Sequence, residues 1–295
     1  GTELPFGKVG VQTISYDATR TAGLAYLDYD RKANGETGVV VFDTESDDVS
    51  VVFKDRFSHS HLRYYPGNEN PSTRALLFQH HHGQSLDKTG RPIHTVWNSE
   101  AKGVDLHVIH DDGTGWSDLP FGRDGVESCI GHQLWRWPQY EVTAIVYQER
   151  DNSFGWADGT RQDLVTGRPV PVDSESAHTG RTGRENKRQR LSERLDNSRI
   201  CHLGLDATAL RFCFDTFPVW NGDRSGMALY IGQGETGNSP LDFRYILNSG
   251  AVFTAPGHSH AHPILSPSGR ELFFTSDYMG APRAYMVKNL PWPAC

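Results

Sequence analysis

His262-Pro263-Ile264-Leu265-Ser266-Pro267-Ser268-Gly269, followed by Glu271-Leu272-Phe273-Phe274-Thr275-Ser276-Asp277, is the stretch that decides the fold. A short strand enters a Ser-Pro-Ser-Gly turn, where proline presets φ and glycine accepts unusual backbone angles, and an alternating strand returns. The outline recurs as CHLGLDATALRFCFDT from Cys201, as GHQLWRWPQYEVTAIVYQERD from Gly131 and as SHLRYYPGNENPSTRALLFQHHH from Ser60. A fifth copy, VQTISYDATRTAGLAYLDYD from Val11, carries Gln12 where the others carry histidine. The anchors Gln12, His61, His132, His202 and His262 are 49, 71, 70 and 60 residues apart, long for bare four-stranded blades but suitable for blades with inserted loops.

Each hairpin is followed by further alternating, β-branched or aromatic segments, such as residues 38–43, 104–109, 227–231 and 283–287. The chain therefore reads as all-β, a β-propeller with five recognisable repeat units in a single domain over 1–295. A polar surface insertion is expected near 174–198, and the charged run Arg184 to Leu195 is the one plausible helix. The last copy lacks an outer strand, and residues Lys8 to Val11 are expected to supply it and close the ring.

The composition, 37% hydrophobic with 30 Gly and 16 Pro, suits a buried core with many turns. A formal net charge of -7 argues against a nucleic-acid partner, which needs a basic field. No apolar run is long enough to span a bilayer, so no membrane partner is expected, and a secreted or periplasmic location is preferred over a cytoplasmic one. The four cysteines, Cys129, Cys201, Cys213 and Cys295, form no CxxC pair and allow either two disulfides or a mixed Cys/His metal site.

In an antiparallel hairpin the start of the first strand and the end of the second lie together, opposite the turn. His61 should thus meet Gln79 to His82, His132 should meet Gln148 to Arg150, His202 should meet Asp215, and His262 should meet Ser276 and Asp277. The alternating His258, His260 and His262 point one way on an extended strand, the strongest metal signal in the chain, with His202 or Cys213 as a further ligand. A His/Cys set favours zinc, and an all-His and oxygen set leaves manganese open. The plainer alternative is that these histidines bind carboxylates or water.

His80, His81 and His82 with His59 and His61 form a second cluster, suited either to acid-base work near neutral pH or to holding loops. His132, opposite Tyr147 and Arg150, is either a buried histidine satisfied by backbone or part of a catalytic group. Arg91, His81 and Gln148 are candidates for substrate contact. Trp135, Trp137 and Tyr140 read as packing. Nucleotide-binding glycine loops, a GxSxG elbow and HExxH are all missing from the sequence.

With Gly131-His132-Gln133, His202 and His260-Ala261-His262-Pro263 in these places, the chain resembles the propeller-fold polysaccharide lyases, above all oligogalacturonate lyases and ulvan lyases. That resemblance implies a metal on His202, His260 and His262, with Gly257 where the family has glutamine, and a catalytic histidine at His132. It also implies that His61 and His82 match a histidine pair of the ulvan lyases. Those relatives are seven-bladed, against five units here. The expected activity is β-elimination on acidic, uronic-acid-containing polysaccharides, with a divalent cofactor, zinc or manganese. An arginine such as Arg150, a histidinium or a metal would neutralise the carboxylate, and His132, His82 or Tyr147 would act as base and acid. The alternatives are a non-catalytic glycan-binding propeller with a structural metal, and a metal-dependent glycan hydrolase using Asp215 or Asp277 as base.

Overall fold

The structure, a computed structural model, describes residues 8–27, 36–55, 57–67, 74–82, 84–86, 92–94, 103–122, 127–129, 132–148, 162–172, 187–190, 199–217, 226–234, 242–251 and 259–292. Backbone packing divides the chain into two compact units, Gly1–Cys129 with Gly167–Glu185, and Ile130–Thr166 with Asn186–Cys295. The described residues are strands and turns with no helix.

In chain order the strands begin with β1 (Lys8–Ile14), β2 (Arg20–Tyr26), β3 (Thr37–Asp43), β4 (Val49–Asp55), β5 (Ser58–Tyr64) and β6 (Ala75–His82). There follow β7 (Gln84–Leu86), β8 (Pro92–His94), β9 (Gly103–His110), β10 (Ser117–Asp118), β11 (Glu127–Ser128), β12 (Gln133–Arg136), β13 (Glu141–Gln148), β14 (Gln162–Gly167), β15 (Val170–Pro171) and β16 (Lys187–Arg190). The last seven are β17 (Arg199–Leu205), β18 (Arg211–Phe217), β19 (Ala228–Gln233), β20 (Asp242–Asn248), β21 (Ile264–Leu265), β22 (Glu271–Ser276) and β23 (Arg283–Lys288).

The first unit holds an antiparallel meander, β1-β2-β3-β4, and a second sheet ordered β5-β6-β9-β10-β15. The second unit holds β12-β13-β14-β16, then β17-β18-β19-β20, then β21-β22-β23. Five of the six sheets among the described residues thus follow the five hairpins of the sequence, each hairpin supplying two neighbouring strands, and β7 with β8 makes the sixth. Three of the turns share one construction. Ser15, Asp206 and Ser266 each donate a backbone N–H to the carbonyl five residues on, at Arg20, Arg211 and Glu271.

Alternation gives each sheet apolar faces, and these stack. In the first unit Ala22, Val39 and Val41 of the first sheet pack on Leu62, Leu76, Phe78 and Ile109 of the second. In the second unit Ile145 and Leu164 pack on Ile200, Leu203, Phe212 and Phe214, and on that sheet's other side Leu229 and Ile231 meet Leu265 and Leu272. Full burial of one such side chain is worth about 1.5–3 kcal/mol, whereas exposed ion pairs such as Lys54–Glu36 give roughly 0–1 kcal/mol. Stacking therefore dominates.

Two expectations are corrected. Residues 187–190, inside the run read as a helix and within the expected insertion, form strand β16 against β14, with Asp163 opposite Arg190. An outer strand has one neighbour and tolerates charge, so a Lys/Arg-rich segment can serve there. Residues 173–186 and 191–198 lie outside the described residues. Lys8 and Val9 pair with Tyr26 and Ala25 in β2, so they are committed to the first sheet and do not complete the last one.

Asp17, in the first hairpin turn, is joined to Arg74 at 2.6 Å. The guanidinium holds its carboxyl well below the usual carboxylate range, helped by the Ser15 hydroxyl. Because folding lowers this pKa, the pair's contribution is complete above the ordinary value and is lost as pH falls toward the folded one. We expect Asp17→Asn to lower the urea midpoint at pH 7, with the gap to wild type narrowing below about pH 4. A gap that stays constant down to about pH 2.5 would show that the ion pair contributes nothing.

Candidate functional site

His202 and Cys201 occupy a β-bulge, where the register of β17 on β18 jumps between Ile200 and Leu203. A bulge sets two residues against one, and here it brings successive side chains together: Cys201 Sγ lies 3.4 Å from His202 Nε2. Asp215, fully buried on β18, accepts the His202 backbone N–H at 2.8 Å and its Nδ1–H at 2.7 Å. A carboxylate cannot donate, so the imidazole proton is assigned to Nδ1 and Nε2 keeps its lone pair. Carboxylates behind metal-bound histidines do the same work.

Three more imidazoles surround that lone pair. His260 Nδ1 is 3.3 Å from His202 Nε2. The His262 ring centroid lies 3.7 Å from that of His202, and the His132 ring 4.4 Å from it. His132 and His262 meet edge to face at 5.5 Å. His132 directs Nδ1 at the Cys201 carbonyl at 3.3 Å, which leaves its Nε2 as a lone pair too. Neutral nitrogens converging in this way suit a cation.

Candidate donor atoms fall into two groups, His132, His202, His262 and Cys201, His202, His260, each within 4.8 Å of one another. His202 belongs to both. The residues therefore fit a first-row divalent ion, zinc where the thiol takes part. Burial pushes the Cys201 thiol well above its ordinary pKa, with Asp215 adding to the rise. An ion would be needed to hold it as thiolate.

Of the residues proposed from sequence, His132, His202, His260 and His262 are brought together. Cys213 is not among them. It sits fully buried in the apolar cluster with Leu229, Ile231 and Leu265, its Sγ filling the space that Gly204 leaves by lacking a Cβ. Cys201 takes its place. The disulfide alternative also fails for Cys129, Cys201 and Cys213, all free thiols. Cys295 lies outside the described residues. Register places Gln133 opposite Ala144, so His132 falls short of Gln148. His258, Arg91 and Arg150 lie outside the described residues, as do the side chains of His82, Tyr147 and Gln148.

In the first unit, His61 also occupies a bulge, between Ser60 and Arg63 on β5, with φ at 54°. Its Nδ1 donates to Gln79 Oε1 at 2.7 Å, and the Gln79 amide donates to the Cys129 carbonyl at 3.0 Å. The Ser60 hydroxyl is 2.6 Å from His81 Nε2. These contacts bear out the expected meeting of His61 with the end of β6. They also leave His61 Nε2 with a lone pair, which suits a base. Trp135 stacks on Tyr140 at 5.2 Å, a packing contact as expected.

No family model matches the chain, and no curated protein does. Solved structures do. An oligogalacturonate lyase from Vibrio parahaemolyticus superposes with a TM-score of 0.67 at 16% identity over 98% of this chain and 68% of that one. An oligogalacturonate lyase in complex with manganese gives 0.64 at 16% identity, over 98% and 67%. The β-propeller domain of the Trilobed protease from Pyrococcus furiosus gives 0.51 at 12%, over 96% and 67%. The protein has the β-propeller fold. Its fold likeness extends to the oligogalacturonate lyases, and at these identities the likeness is one of fold.

Proposed function

We propose that the protein is a polysaccharide lyase that cleaves uronic-acid-containing glycans by β-elimination at the imidazole cluster of the second unit. The observation that carries this is His202, held by Asp215 with Nε2 facing His260 and beside the rings of His262 and His132. His202, His260 and His262 would hold a divalent ion, zinc or manganese, with Cys201 alongside. Bound there, such an ion supplies positive charge against the uronate carboxylate and stabilises the carbanion-like transition state. A chain of net charge -7 needs a local cation of this kind to attract an anionic glycan.

His132 is the base in this reading. Its Nδ1 faces the Cys201 carbonyl, which puts the lone pair of the neutral ring on Nε2, the atom that would take the C5 proton. The C5–H electron pair becomes the C4–C5 double bond, and the C4–O bond breaks with its pair, the leaving oxygen then gaining a proton. The manganese complex of a protein with the same fold supports the ion, and nearness to lyases of that fold supports the substrate class. A hydrolase would need a carboxylate beside an open metal position. Asp215 is fully buried and spends both oxygens on His202, which disfavours that role.

The test is direct. Protein dialysed against zinc or manganese and given ulvan, pectate oligomers or glucuronan should generate unsaturated uronate, read as rising ultraviolet absorbance. Chain cleavage without a double bond, or a flat trace on every uronate polymer, would overturn the lyase reading.

A further inference from the structure

A different set of donors lies in the first unit, on the opposite side of β6 from Gln79 and His81. We propose that Asp55, His59 and His80 form a second divalent-cation site, one that staples the first sheet to the second. Asp55 ends β4 of the first sheet, while His59 on β5 and His80 on β6 face each other directly across the second. Their candidate ligand atoms lie within 4.8 Å of one another. His80 Nε2 is 2.8 Å from Asp55 Oδ2. Two ligands at about 2.1 Å from a tetrahedral zinc are about 3.4 Å apart, so the pair would open by roughly 0.6 Å to seat the ion.

Second, the tautomer of His59 is set from the first sheet. Thr37 on β3 has one hydroxyl proton and donates it to the Phe57 carbonyl. Toward His59 Nδ1, at 2.8 Å, it can then only accept, so Nδ1 carries the hydrogen and Nε2 presents a lone pair. This hydroxyl plays the part that carboxylates and carbonyls play behind metal-bound histidines.

Third, the setting is dry and rigid. His80 is fully excluded from solvent, its ring stacked on that of His59 at 5.0 Å and 21°. Phe53 packs against His59 at 5.2 Å and Phe57 against His80 at 5.7 Å. His107 stands behind, its ring 5.5 Å from His80, tied through Nδ1 to fully buried Asp118 at 2.9 Å. Two imidazoles and one carboxylate make a borderline donor set that takes zinc, manganese or ferrous iron. Asp55 retains 21% side-chain exposure, which provides a way in for the ion.

The experiment separates this site from the one in the second unit. The protein carrying His202→Ala, with the double variant His260→Ala/His262→Ala as a second background that disables both donor groups of the second unit, is dialysed against zinc or cobalt(II) and its ion content measured per chain. Each background should retain one ion, and wild type two. Adding Asp55→Asn or His59→Ala should remove the remaining ion, the cobalt absorption band and any zinc-dependent rise in Tm. Thr37→Val, which leaves all three ligands in place, should weaken that binding about 10–100-fold. A background that folds and binds no ion, or one whose ion survives both Asp55→Asn and His59→Ala, would overturn the proposal. Neither outcome bears on the lyase reading, because the uronate assay reports on the other unit.

Discussion

His202→Ala is expected to abolish both stoichiometric cation binding in the second unit and turnover of uronate polymers. His202 is the member common to both donor groups, so neither group keeps three ligands without it. If four ligands share the roughly 10–16 kcal/mol of a protein-held zinc, removing one weakens binding by about 10²–10³-fold. The same change leaves Asp215, fully buried, without the imidazole that now takes its charge, and an orphaned buried charge costs about 3–5 kcal/mol. Loss of activity alone would therefore be ambiguous. Asp215→Asn resolves it: the single amide oxygen can keep the His202 backbone N–H while the NH2 faces Nδ1 and favours the other tautomer, so cation affinity should fall about 10–100-fold with no buried charge left behind. Unchanged affinity in Asp215→Asn, measured by competition with a chromophoric chelator, would show that this carboxylate does not tune the site.

His132→Ala separates base from ligand. With His132 as the base, kcat falls by about 10²–10⁴-fold and the acid limb of the kcat/KM profile disappears, while the cation stays bound. Loss of the cation together with activity would instead place His132 among the ligands, as its grouping with His202 and His262 allows, and would move the base elsewhere. Elemental content and a pH profile on one preparation decide between the two.

The repeat was legible because a hairpin's instructions are local. Polar turn residues flanked by alternating apolar ones recur at Ser15, Asp206 and Ser266, and all three turns close with the same backbone hydrogen bond. The meeting of His202 with Asp215 was legible for the same reason. The identity of the cysteine was not. Strict alternation along Cys201-His202 turns the thiol away from the imidazole, and only the register jump between Ile200 and Leu203 reverses this. A bulge depends on the partner strand's register, which the strand's own residues do not state. Residues 187–190 misled differently: charge without an apolar face was read as a surface helix, although an outer strand carries the same composition.

His61 and His262 both hold a left-handed backbone, with φ at 54° and 44°. Among residues with a side chain, asparagine, aspartate and histidine take up that conformation most readily, and β-branched ones worst. A saturation library at either codon would therefore be filtered first by conformation and only then by chemistry. Survivors would be enriched in glycine and asparagine whatever the reaction, and valine or isoleucine would drop out even in a selection for folding alone. Asparagine is thus the better probe than alanine for what each ring contributes, because it erases the imidazole while sparing the local geometry that aims it.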